Sequence, residues 1–210
     1  MGSVSFEVTG DAKAIPHFQE GLLLLHSFEY EDAAVAFQSA QDADADFVMA
    51  YWGEAMTKNH PLWNAQYTDE ASEILNRLGP TTEQRLAKAQ TEIERDFLEA
   101  VEILFGEGEK KDRDQLYAAH LQIMHDLYPE HHEVAAFYAL SMLGSTSEGR
   151  DETIYEKGAV IAQGILEENP QHPGALHYLI HSYDDPVHEP MQCVIVACVV
   201  IKVLAFGAFV

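Results

Sequence analysis

Cysteine is almost missing from this chain. Its only two, Cys193 and Cys198, lie beyond residue 192, so no disulfide framework holds the fold. Basic residues are scarce as well: 12 lysines and arginines stand against 35 acids, a formal net charge of −23. Without a basic surface to neutralise phosphates, the composition speaks against nucleic acid and against peripheral binding to anionic lipid. The N-terminus has neither a basic nor an apolar leader region. Its Met-Gly start is followed at position 6 by Phe6, where a myristoylation signal needs Ser or Thr. The expected location is therefore the cytoplasm. Alternating strand patterns are lacking through residue 190, as are a GxSxG elbow, a Walker A loop, a dinucleotide fingerprint and an HExxH motif.

What remains is helical. Phe18, Leu22, Leu25 and Phe28 recur at steps of three and four, and Ala33, Phe37 and Ala40 follow on a second stretch. A third stretch runs from about 47 to 59. Thr81 and Thr82 read as caps of one long helix reaching about residue 105, and further helices are expected at 112–127, 131–143, 152–168 and 172–183. Gly144 reads as a C-cap, GEGEK at 106–110 as a turn, and His131-His132 as an exposed helix start. Gly21 and Ala55, 34 positions apart, bracket Ala33-x3-Phe37-x2-Ala40. Small residues at these points let two helices approach closely.

This pattern resembles the tetratricopeptide repeat. GLLLLHSFEYEDAAVAFQSAQ, MAYWGEAMTKNHPLW and HPGALHYLIHSYDDPVH together resemble a large, mostly uncharacterised group of such proteins in bacteria and eukaryotes. The resemblance implies an all-α, right-handed solenoid of antiparallel helix pairs, with the first helix of each pair lining a concave groove. Relatives run on with further repeats, so this chain resembles a C-terminally shortened member. The expected layout is an N-terminal segment at 1–12, a repeat domain at 13–190 and an apolar tail at 191–210.

Aligning the helices on Gly21, Ala55 and Ile180 places His26, His60 and Asp185 in one inward slot, Leu22, Met56 and His181 in a second, and Phe18, Trp52 and His177 in a third. His177 and His181 are an i,i+4 pair that puts two imidazoles on one helix face. With Asp184 or Asp185 as a third donor they are candidate ligands for a divalent metal such as Zn, Fe, Mn or Cu. The alternative is a set of hydrogen-bonded histidines between helices. His26, His60, Trp52, Trp63 and His188 are candidate groove residues; Tyr51, Trp52, Trp63 and Phe28 suit either a core and groove wall or a ligand cage. Residues 191–210, apolar apart from Lys202, read as a truncation or splicing product, as a membrane tail anchor, or as a cap on the open solenoid end. Two functions compete. One is a scaffold whose acidic, histidine-bearing groove holds a protein or peptide; the other is a metal-dependent enzyme.

Overall fold

The computed structural model describes residues 2–146 and 149–184. Among these, ten α-helices follow in order: α1 (Ile15–His26), α2 (Tyr30–Ala43), α3 (Val48–Met56), α4 (Thr68–Leu78), α5 (Thr82–Leu86), α6 (Glu92–Leu104), α7 (Lys110–Leu127), α8 (His132–Gly144), α9 (Glu152–Glu168) and α10 (Pro173–Ser182). The fold is all-α. The exception is a two-residue antiparallel bridge, β1 (Asn59–His60) with β2 (Ala65–Gln66), around the short 3-10 turn Pro61–Trp63. No helix among the described residues is long and apolar enough to cross a membrane. The tail at 191–210 lies outside the described residues.

Local chemistry explains most boundaries. Pro16 occupies the first turn of α1 and Pro173 that of α10, where a missing N–H costs nothing. The long helix expected from Thr82 to about residue 105 is instead two. α5 stops at Leu86, and Thr91 then opens α6 with a reciprocal capping box to Glu94. That Thr-x-x-Glu signal is present in the sequence. Arg85 holds the break by reaching Gly79 O and the Glu102 carboxylate. Gly144 is no left-handed cap: it is the last helical residue of α8, and its missing Cβ lets Pro61 pack there, since a Cβ would lie 2.6 Å from Pro61 Cβ.

Packing is sequential, α1 on α2, α2 on α3, then α3 with α4 and α6, α6 on α7, α7 on α8, α8 on α9 and α9 on α10. Phe37 of α2 sits where α1 and α3 cross it. Cβ atoms at Gly21 and Gly53 would fall 2.8 and 2.3 Å from its ring. The close-approach role assigned to Gly21 and Ala55 is thus carried by Gly21 and Gly53. α8 is buried on nearly every side and joins a core of α1–α8 to a second one shared with α9 and α10. α10 also returns to α1, closing the row on itself.

The inner residues are therefore core rather than an open groove. Phe18, Leu22, Trp52 and Met56 are all buried. Trp52 packs edge-on against Phe97 and Phe137, each at 5.1 Å between ring centres. The segment preceding α1 fills one mouth of this interior. Phe6 lies 4% exposed among Phe18, Trp52, Phe97 and His131. His131, expected to be exposed, caps α8 from a half-buried position beneath it.

Candidate functional site

Closure of α10 onto α1 gathers two sets of histidines. The first is fully enclosed. His26, the last residue of α1, Glu133 in the first turn of α8, and His172, the N-cap of α10, all have no solvent exposure. His26 Nε2 lies 2.6 Å from one Glu133 oxygen and His172 Nε2 3.0 Å from the other. His26 Nδ1 meets the Tyr178 hydroxyl at 2.7 Å. Gly174 makes the room, since a Cβ there would stand 2.4 Å from His26 Nδ1.

Proton positions follow from the partners. The Ala175 backbone N–H donates to His172 Nδ1 at 3.1 Å, so that nitrogen carries a lone pair and the proton sits on Nε2. His172 Nε2–H then donates to Glu133. His26 donates to the other oxygen through Nε2–H and accepts from the Tyr178 hydroxyl at Nδ1. One ionised carboxylate and two neutral imidazoles satisfy every group. Burial holds His26 below the ordinary histidine value, against the opposing pull of Glu133. Burial by itself raises the Glu133 carboxyl, but the His26 ring and the imidazole N–H donors reverse this and hold it well below the carboxylate range.

His26, Glu133 and His172 are also a geometrically possible metal set, their ligand atoms lying within 4.8 Å of one another. The hydrogen bonds argue against that use. A neutral His172 binding metal through Nε2 must carry its proton on Nδ1, where it would collide with the Ala175 N–H. The triad is a self-satisfied network that ties α1, α8 and α10 together.

The second set stands at the α1–α10 seam in a partly exposed aromatic cluster. His177 Nδ1 donates to His26 O at 2.8 Å, a carbonyl left without an intrahelical partner by the end of α1. Its Nε2 faces His181 Nε2 at 3.1 Å. Phe28 packs 4.2 Å from the His177 ring, Tyr30 stacks on Phe28 at 5.7 Å, and His60 stacks on Tyr30 at 3.8 Å. Trp63 stands across this stack and is 63% exposed, with Tyr67 beside His60 at 46%. Phe28 holds a positive φ of 62°, a backbone conformation that costs a bulky residue about 1 kcal/mol or more. The Tyr30 hydroxyl is buried yet has no hydrogen-bond partner among the described residues, and burial raises its pKa.

The residues singled out from sequence thus divide. His177 and His181 meet as an i,i+4 pair. Asp184 is exposed and close enough to act electrostatically on His181, but among the described residues no third His, Cys, Asp or Glu joins the pair within ligand distance. Asp185 and His188 lie outside the described residues. His26 is sealed in the triad and Trp52 in the core, so neither belongs to this cluster. His60 and Trp63 do belong to it, but His60 is not equivalent to His26. α3 ends at Met56, and His60 sits beyond it in β1, its Nε2–H turned onto Thr57 O at 3.0 Å. Glu133 and His172 were missed by sequence reasoning; His172-Pro173, an N-cap before a helix-starting proline, was their one local signal. Tyr30 was missed too.

Protein-family models, curated proteins and solved structures yield no match to this chain.

One consequence is a pH dependence of stability. Burial is the leading cause that lowers His26, His60, His131, His177 and His181 below 6.5. The folded state binds fewer protons than the unfolded chain, so their contribution is complete above 6.5 and is lost as pH falls below it. Glu133 adds the same trend from 4.5 downward. Urea midpoints should hold steady between about pH 7 and 8 and decline below about 6.5. Acidification also relieves the repulsion of a −23 charge, so both ends of the series need about 0.15 M salt. A midpoint that rises toward pH 5.5 would contradict the buried, neutral histidines.

Proposed function

We propose that the chain is a tetratricopeptide-like helical-repeat binding module whose aromatic face between the α1–α2 turn, the β1–β2 loop and α10 holds a basic peptide segment. The crossing of α1 and α3 over Phe37 at two glycines supports the repeat reading for the first three helices. The aromatic wall carries this reading: an exposed Trp63 beside a buried Tyr30 hydroxyl that has no partner among the described residues, with a strained Phe28 between them and α10. Exposed large aromatics around an unsatisfied polar group are what a ligand covers. Glu29 and Glu31 flank Tyr30 on the exposed surface, and the whole chain is acidic, which favours a cationic partner.

Short labelled peptides matched in length and carrying one aromatic anchor, with either lysines or glutamates around it, test the reading by fluorescence anisotropy. Basic peptides are expected to bind and to weaken with added salt. Trp63→Ala should cut affinity by about tenfold or more while moving stability by no more than about 0.5 kcal/mol, because its side chain is mostly exposed. Equal binding of acidic and basic peptides, or a silent Trp63→Ala, would reject this occupant.

A further inference from the structure

The geometry points to a metal site at the edge of this aromatic face: we propose that His177 and His181 chelate a single transition-metal ion of the Cu²⁺, Ni²⁺ or Zn²⁺ class through their two Nε2 atoms. The inference rests on the pair alone, so peptide binding can fail while metal binding stands. An i,i+4 spacing puts two side chains on one helix face but does not aim their nitrogens. Here the aim is set. The His26 carbonyl accepts the His177 Nδ1 proton at 2.8 Å, which leaves the lone pair on Nε2. A backbone carbonyl holding the distal N–H is how proteins commonly orient an imidazole ligand. The opposing His181 Nε2 is 3.1 Å away. Two metal–nitrogen bonds of about 2.05 Å to atoms 3.1 Å apart subtend about 98°, between the octahedral and tetrahedral angles. The pair needs almost no rearrangement to close on an ion.

Without an ion, His181 donates Nε2–H to the His177 lone pair. Binding requires that this proton move to His181 Nδ1, which makes no hydrogen bond among the described residues. His172 has no such freedom, since Ala175 N–H occupies its Nδ1. The two sets therefore differ in kind: the buried one is proton-saturated, and the His177–His181 pair becomes a chelate by one tautomer change. Both rings of the pair are half-buried, hence reachable. Two nitrogens leave the remaining coordination positions to water or to a donor on whatever binds the aromatic face. Imidazole ligands with no thiolate favour Cu²⁺ over Ni²⁺ and Zn²⁺.

Copper(II) alone, added to the metal-stripped full chain, is the probe. Electron paramagnetic resonance should report one equivalent with two equatorial nitrogens, and competition titration its affinity. His177→Ala and His181→Ala should each weaken binding by more than about tenfold. His181→Gln keeps a polar side chain of similar size and should lose copper while keeping the wild-type unfolding midpoint. His17→Ala, at an exposed position, should change nothing. Copper retained undiminished by the His181 variants overturns the proposal. So does loss of copper in Glu133→Gln with retention in His181→Gln, which would move the ion to the buried triad.

Discussion

Glu133→Leu is expected to destabilise the fold by about 3–5 kcal/mol, the range for removing one partner of a buried charge-bearing network. Leucine fills much of the space but accepts nothing, so the N–H groups of His26 and His172 would both be left unpaired in a site with no solvent exposure. Glu133→Gln should be milder, at about 1–2 kcal/mol, for a reason specific to this site. The amide has one acceptor and one donor group. His26 can adapt by shifting its proton to Nδ1 and donating to the Tyr178 oxygen, which leaves Nε2 to accept from the amide. His172 cannot, because Ala175 N–H only donates; it must keep the amide oxygen. Urea denaturation of the three proteins near neutral pH gives the ranking, and nitrogen-15 shifts of the two rings give the tautomers. Equal loss in the Gln and Leu variants would refute the tautomer assignment, and an undiminished Leu variant would refute the network.

Phe6→Ala should cost about 3–5 kcal/mol, as much as a central core aromatic, although Phe6 precedes the first helix. The ring stands 5.1 Å from Phe97 and 5.8 Å from Phe18, edge-on to each or tilted. Its segment is tied at both ends. Ser3 exchanges hydrogen bonds with Asn169 and Gln171 before α10, and Thr9 donates to Glu94 of the α6 capping box. Losing the ring opens a cavity beside Trp52 that these ties keep from collapsing. In a Trp63→Phe background only Trp52 emits, so Phe6→Ala should redshift native fluorescence as well as lower the unfolding midpoint. A wild-type midpoint with unshifted emission would mean that the segment is peripheral.

Much of the helical layout was legible beforehand because helices announce themselves locally. The starts and stops of α7 to α10 fall within a few residues of the positions that caps, prolines and three-to-four periodicity indicate. The error at 82–105 was a local signal passed over, the capping box at Thr91. The misreading of inward slots had another origin. Counting from Gly21 and Ala55 assumes that each helix continues to the same length, yet α1 runs to His26 whereas α3 stops at Met56. The same count assumed an open groove, but the returning α10 and the Phe6 segment fill that space.

The histidine chemistry marks the division most clearly. That His177 and His181 share a face follows from their spacing on one helix, because neighbours four apart are set by the backbone alone. That His177 Nε2 bears a lone pair depends on the His26 carbonyl, 151 positions away. That His26, expected to line a groove, is sealed beside Glu133 and His172 depends on α1, α8 and α10 meeting. Residue types, periodicity and net charge are properties of the chain and its near neighbours. Which imidazole nitrogen holds the proton, and hence which one presents a lone pair, is decided by partners that only long-range packing supplies.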